Sequence, residues 1–343
     1  MKKSQSTKAL KRGRLAKAAA AILSMTLLLA GCSQTQDTQT SESQDEKLKI
    51  GITQIIDHPA LNASRDGFVQ RLEELGIDAE ISMQDAQGDI ANAQMIAEKF
   101  VSDDSDLILS IATPTSQAAQ TATKGKDIPV IFTAVSDPVF SGLLQNADAP
   151  EANITGVTDA VSIENRRAMF EILKELNPEI KSVGIVFNTG ESNSQVQIED
   201  IEKVAAEFGI TVEKTGIAAI TEINQALESV AKKSDALMLI NDNMIASSME
   251  LIASTAKEKG IITISGDSSH VDSGALISVG ISYFDLGVQA ADMAKQILVD
   301  GTEISQIPVK SSSNFIKKVN TETMAALGLD KDNKAFGDAQ FTE

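Results

Sequence analysis

Two stretches of this chain gather more polar side chains than a turn needs. Thr113-Pro114-Thr115-Ser116 follows one short apolar run, and Asn188 to Ser194, with Glu191 and Asn193 inside it, follows another. Further hydroxyls, amides and acids close similar runs: Thr53, His58 and Pro59; Thr133 and Asp137; Asp242 and Asn243; Asp267; and Tyr283. Such side chains can hold a small polar molecule by hydrogen bonds and charge. A helix N-terminus offers free N–H groups and about half a positive charge, which suits a carboxylate. A nearby Asp or Glu suits an ammonium. Both together suit an amino acid: Thr113 and Ser116 for the carboxylate, Asp137 or Asp242 for the ammonium, and Asn188 to Ser194 with Asn243 closing from the opposite side. The same residue types serve helix caps and turns, so each alone fits either duty. His58 fits ligand contact or a helix cap. Tyr283, the one Tyr in a chain without Trp, fits stacking on a ligand or packing in a hinge. His270 reads as a surface residue.

Catalytic chemistry finds little to stand on. Asp137 and Asp242 could form an acid–base pair, yet no activated Ser or Cys and no metal-ligand cluster accompanies them. No GxGxxG, GxxxxGK[ST], HExxH, GxSxG or CxxC occurs, so neither a metal nor another cofactor is expected.

The elements that must position these residues alternate in type. LKIGIT (48–53), AEISM (79–83), DLILSIA (106–112), IPVIFTA (128–134) and 153–157 read as strands. Helices fall between them: 60–75, closed by Gly76; one capped by Asp89 and running to Val101; and one capped by Thr115 or Ser116 and running to Lys124. A helix over 162–176 stops before Pro178. A second set follows, with strands at 182–187, 211–217, 236–240, 261–265 and 275–281, and helices at 194–208, 222–233 and 244–259. A helix over 285–298, a strand near Pro308, FIKKVN (315–320) and a short helix complete it. Val-, Ile- and Leu-rich strands that each lead into a helix specify parallel sheets covered on both faces, an α/β fold. In such sheets ligands sit beyond the carboxyl ends of the strands, where the residues above lie.

The N-terminus reads differently. Residues 1–31 carry seven Lys and Arg and no acid, then an apolar run from Ala18 to Ala30 that ends in Leu-Ala-Gly-Cys. That run is too short for a permanent span of about 20 residues and fits a signal peptide. Cys32 then becomes the lipidated first residue of a bacterial lipoprotein. It is the only Cys among 343 residues, which excludes an internal disulfide. Residues 32–47 lack apolar side chains after the Cys and read as a flexible tether. Loss of the signal leaves 23 bases against 48 acids, a net charge of −25. So acidic a surface repels phosphate backbones and argues against nucleic acid as a partner.

The motifs GITQIIDHPALNASRDGF (51–68), MQDAQGD (83–89), IATPTSQAA (111–119), PVIFTAVSDPV (129–139), NITGVTD (153–159), GIVFNTGESNS (184–194), LINDN (239–243) and SYFDLG (282–287) occur in order. With them the chain resembles the substrate-binding lipoproteins of ABC transporters, in the tryptophan/tyrosine-type group with the type I periplasmic-binding fold. The resemblance covers about residues 48–330. It implies two Rossmann-like lobes joined by three crossings with a ligand cleft between them: 48–160 plus 284–312 as lobe 1, and 161–283 plus 313–335 as lobe 2. It implies an aromatic or hydrophobic amino acid as ligand, delivery to a membrane permease driven by an ATPase, a monomer, and anchorage outside the plasma membrane through Cys32. A ligand-sensing receptor module of the same fold is the alternative, with a small-molecule enzyme a further one. The strand-end residues above are then the ligand contacts.

Overall fold

The computed structural model describes residues 47–312 and 315–342, so the expected signal peptide and Cys32 lie outside the described residues. β1 (Leu48–Gln54), α1 (Pro59–Glu74), β2 (Ala79–Asp85), α2 (Ile90–Ser102), β3 (Leu107–Ile111), α3 (Thr113–Ala122), β4 (Val130–Val135) and β5 (Ile154–Thr158) alternate first. Next come α4 (Ile163–Leu176), β6 (Ser182–Asn188), α5 (Ser192–Glu207), β7 (Thr211–Ile217), α6 (Ile223–Ala231), β8 (Ala236–Leu239), α7 (Asn243–Ala246), α8 (Met249–Glu258), β9 (Ile262–Asp267), α9 (Ser269–Asp272) and β10 (Ile277–Ile281). The chain ends with α10 (Tyr283–Leu298), β11 (Lys310–Ser311), β12 (Phe315–Val319), α11 (Thr321–Ala326) and β13 (Gln340–Phe341).

The strands form two sheets, ordered β11-β5-β4-β3-β1-β2 and β13-β12-β10-β9-β8-β6-β7. The first is parallel throughout. The second is parallel except where β12 runs antiparallel to β10. β3, β4, β5 and β10 are buried at every position, as their unbroken apolar runs require. Each sheet and its helices make one lobe, and the chain passes between lobes after β5, after β10 and after β11.

Two glycines fix how the second crossing joins lobe 1. A Cβ on Gly67 of α1 would lie 2.2 Å from the Phe284 carbonyl oxygen, and one on Gly287 of α10 would lie 1.9 Å from the Ser64 carbonyl oxygen. The helices therefore touch backbone to backbone, and α10 carries Tyr283 into the interlobe region on a rigid mount.

Several expectations are corrected. Residues 244–259 form two helices, because Ser248 leaves helical geometry (φ −117°, ψ 18°) between α7 and α8. Thr115 and Ser116 do not cap α3; the helix starts at Thr113, behind Ala112 at φ 88°. Tyr283 opens α10 and does not precede it. His270 is buried, not surface. The short α9 and β13 carry no periodic signal long enough to read. Among the described residues no helix is long and apolar enough to cross a membrane.

Candidate functional site

The C-terminal ends of both sheets face a common cleft, which narrows inward to a polar end. Asp159 lies there, one residue beyond β5, at the start of the first crossing. Its Oδ2 accepts from the Tyr283 hydroxyl at 2.7 Å and from Asn241 Nδ2 at 3.1 Å. Its Oδ1 is buried and unpaired. Burial pushes the Asp159 carboxyl up, against the hydrogen bonds from Tyr283 and Asn241 and the influence of the nearby Ser136 side chain. Burial likewise raises the Tyr283 phenol, with the charges of Asp159 and Asp267 adding to it. Burial lowers Arg166, 5% exposed at the start of α4, to about 10, with Asp200 and Asp159 opposing the shift.

His58 and Asn243 meet across the cleft, with Nε2 and Oδ1 3.5 Å apart. Asn243 commits its Nδ2 to Glu191 Oε2 at 2.5 Å. Its Oδ1 therefore faces His58, whose Nε2 must be the donor in that contact, leaving Nδ1 bare, buried and unpaired. Burial lowers His58 to about 4, and the Asp267 charge is the largest influence against it.

Lobe 2 supplies a lattice of carboxylates and amides. Glu191 accepts from Asn188 Nδ2, Asn193 Nδ2, and both the backbone N–H and Nδ2 of Asn243. Asp242 accepts from the Asn188 N–H, the Ser194 hydroxyl at 2.6 Å and the Ile245 N–H. Burial, and then the Glu191 charge, push Asp242 up. The lattice ties the ends of β6 and β8 to the starts of α5 and α7.

The expected residues divide on this geometry. His58, Asn193, Asp242, Asn243, Asp267 and Tyr283 line the inner cavity, with Asn241 and Asp159. Asn188, Glu191 and Asn243 line the outer one. Thr53 and Thr113 stand buried at the ends of neighbouring strands, each with an unpaired Oγ1. Others are spent on the fold. The Thr115 hydroxyl donates back to the Ile111 and Ala112 carbonyls. The Ser116 hydroxyl donates to the Ala112 carbonyl and accepts from Ser110. Thr133 pairs with Ser64 at 3.1 Å, holding α1 on the sheet. Pro59 opens α1 and lines a separate outer cavity. Asp137 Oδ1 accepts the Val139 and Phe140 N–H groups in a turn, and Asp242 is saturated. Asp137 lines neither cavity and both Asp242 oxygens are engaged, so neither offers the cleft the free carboxylate oxygen expected of it. Asp159 does, and reading one residue past the fifth strand identifies it.

Asp267 accepts the Ser269 N–H through Oδ1 and lies 3.5 Å from His270 Nε2. His270 Nδ1 is 2.7 Å from the Ser265 hydroxyl. This Ser–His–Asp chain is not a nucleophile assembly: Ser265 is wholly buried and also accepts the Asp267 N–H. Among the described residues no cluster of three or more His, Cys, Asp or Glu could hold a metal ion.

Toward solvent the cleft widens into a cavity of about 460 Å³. That lies within the range of small-molecule sites, roughly 300–1,000 Å³. Ile55, Ile56, Ile90 and Pro114 line it from lobe 1, and Ala218, Ile220 and Met244 from lobe 2. The inner cavity holds about 10 Å³, roughly one water-sized sphere. Ala112 and Ala134, both non-glycine residues at positive φ (88° and 56°), sit at the ends of β3 and β4. Backbone strain of this kind concentrates at functional sites.

A family model of ABC transporter substrate binding proteins matches residues 49–340. The "Tyrosine-binding protein" of Clostridioides difficile (strain R20291) is 38% identical over 313 residues, which cover 89% of each chain. A crystal structure of an ABC domain from Streptococcus pneumonia in complex with L-Trp matches with a TM-score of 0.81 at 29% identity, over 86% of this chain and 99% of that one. The ligand-free, open structure of a substrate binding protein with adhesive properties from Clostridium difficile matches with a TM-score of 0.65 at 40% identity, over 86% and 99%. The geometry is thus closer to the ligand complex than to the open form, although sequence identity runs the other way.

Proposed function

This chain belongs to the ABC transporter substrate-binding protein family, and from that premise we propose that it captures an amino acid with an aromatic or hydrophobic side chain. The relatives named for tyrosine and complexed with tryptophan support that ligand class. One observation carries the reading: a buried, half-paired carboxylate, Asp159, lies at the inner end of a cleft whose outer walls are apolar. Asp159 Oδ1 takes the α-ammonium. Thr113 Oγ1 and the N–H groups opening α3 take the α-carboxylate. Asn193, Asn241 and His58 complete the polar end. The inner void, about 10 Å³, is too small for an amino-acid head, so the lobes must part to admit it and settle at a wider separation around it.

Closure follows from contacts on both sides. A ligand shifts an open–closed equilibrium only by its difference in affinity for the two states. One that touches Asp159 and α3 together with Asn193 and Asn243 makes its full set of contacts only when the lobes are shut. The closed form then docks on a permease whose transport step is powered by an ATPase. The protein works outside the cytoplasm, held at the membrane by lipid on Cys32. Each buried acyl CH₂ contributes about 0.8 kcal/mol to that anchorage.

The test is a thermal-shift screen of the protein truncated before residue 46 against the twenty amino acids. A ligand bound only by the folded form raises the melting temperature. Tyrosine, tryptophan, phenylalanine and the large aliphatic amino acids are expected to do so. A screen in which none of the twenty does sinks the proposal.

A further inference from the structure

The inner cavity is lined by acceptors with no donor to match them. His58 Nδ1, Asp159 Oδ1, Asn193 Oδ1 and Asn241 Oδ1 are all buried without a partner, and all four residues line it. Their neighbours fix which atom is which. Asn193 Nδ2 donates to Glu191 Oε2 and to the Asn241 carbonyl, so its remaining atom is the oxygen. Asn241 Nδ2 donates to Asp159 Oδ2 at 3.1 Å, which orients that amide in the same way. His58 spends its one proton on Asn243, and burial, which lowers it to about 4, keeps the ring neutral. The Tyr283 hydroxyl already donates to Asp159 Oδ2. Asp267, on the same wall, adds a further negative charge.

The void of about 10 Å³ admits one guest the size of a water molecule. Water has two protons for these four acceptors, so two would stay unpaired in a buried site, which is costly. An alkali cation suits the three oxygens but not the imidazole nitrogen, because hard cations take oxygen ligands. Ammonium is close to water in size, is positively charged and brings four N–H groups to the four acceptors. A carboxylate among the acceptors strengthens such bonds.

We propose that the inner cavity binds the free ammonium ion, which draws the lobes shut and competes with the amino-acid substrate. The acceptors come from both sides: His58 and Asp159 from that of lobe 1, Asn193 and Asn241 from lobe 2. A guest that bonds all four favours the closed form over the open one. The substrate needs a wider separation, so ion and amino acid exclude each other, and capture weakens as ammonium rises. The ion site stands on the four acceptors; the competition rests on the amino-acid reading above.

The experiment compares ammonium, potassium and tetramethylammonium chlorides at matched ionic strength and neutral pH. Ammonium is expected to raise the melting temperature above the tetramethylammonium control, since that cation is too large for the void, and Asp159→Asn is expected to abolish the rise. Potassium, without N–H groups, should do less. In calorimetric titration the apparent Kd for tyrosine should rise about tenfold for each tenfold rise in ammonium once the ion saturates its site. No ammonium-specific rise, an equal rise with potassium, or a rise that survives Asp159→Asn overturns the ion site and leaves amino-acid capture standing. Tyrosine binding indifferent to an ammonium concentration that does raise the melting temperature overturns the competition. An ammonium response in a protein that binds no amino acid keeps the ion site and sinks the proposed function.

Discussion

The two lobes present acids at comparable strand ends, and use them in opposite ways. In lobe 2, Glu191 and Asp242 follow β6 and β8 with every oxygen engaged by nearby amides, a hydroxyl and backbone N–H groups. Beyond β5 of lobe 1, Asp159 is equally buried yet keeps one oxygen free, and Thr53 and Thr113 keep unpaired hydroxyls. Burial alone therefore does not mark a ligand contact. What distinguishes a binding acid from a structural one is the bonding capacity left over after the fold has taken its share. Lobe 2 is a pre-set jaw, and its free acceptors are the amide oxygens of Asn193 and Asn241. The lobe 1 side holds the charge.

Asp159→Asn tests that contrast with the largest effect. Asparagine keeps an acceptor for Tyr283 but loses the charge that an ammonium needs. Truncating one partner of a buried charge pair costs about 2–5 kcal/mol, so amino-acid affinity should fall by about thirtyfold or more in titration calorimetry, with the melting temperature little changed. An unaltered Kd would move the ammonium elsewhere.

Glu191→Ala should act in the reverse sense. It strands donors on Asn188, Asn193 and Asn243, and a buried unpaired donor costs about 1–3 kcal/mol. The expected loss is on the order of 3 kcal/mol of stability in chemical denaturation, because not every donor will find water. If stability holds while binding alone disappears, Glu191 belongs to the ligand and the contrast between lobes fails.

Much of this frame was legible in the sequence. Val-, Ile- and Leu-rich runs each leading into a helix gave the two mostly parallel sheets, Asp89 and Ser162 cap the helices that follow them, and of the strand-end residues His58, Asn188, Glu191, Asn193, Asp242, Asn243, Asp267 and Tyr283 line one cleft. The missed parts depend on geometry that residue type does not encode. Asp137 and Asp159 are both acids just past a strand; the fold draws Asp137 into a local turn outside both cleft cavities and leaves Asp159 Oδ1 inside the inner one. Thr115 and Ser116 were the right types for a cap, but Ala112 at positive φ starts the helix earlier and turns both hydroxyls inward. The antiparallel pairing of β12 with β10 is a long-range choice that periodicity cannot carry.

The contact between lobes at His58 adds a pH dependence. Burial holds His58 at about 4 against an ordinary 6.5, so the closed state favours the neutral ring. A depressed value stabilises closure above 6.5, and that stabilisation is lost as pH falls from 6.5 toward 4. Asp267 opposes the shift, while His270 adds to it. Ligand affinity should weaken across this window with a slope approaching tenfold per pH unit. Asp159, raised by burial, also loses charge in acid and weakens binding in the same direction. The part owed to His58 is therefore the difference in slope between the native protein and His58→Gln. Equal slopes would assign the dependence to Asp159 alone.

Asp137→Asn gives the smallest effect and sharpens the distinction most. Asp137 Oδ1 holds the Val139 and Phe140 N–H groups at 2.9 Å each. An asparagine oxygen can accept the same bonds, so the turn should survive with a loss of at most about 1 kcal/mol, the typical net worth of one hydrogen bond. The side chain is absent from both cleft cavities, so removing its charge should leave the Kd for every amino acid unchanged. Set beside Asp159→Asn, the same chemical change one strand away, this is a controlled comparison. Two aspartates lose the same charge, and only the one whose free oxygen lies in the cleft should cost affinity. A loss at Asp137 matching that at Asp159 would show that the ligand responds to the general acidity of the strand ends and not to a single free acceptor.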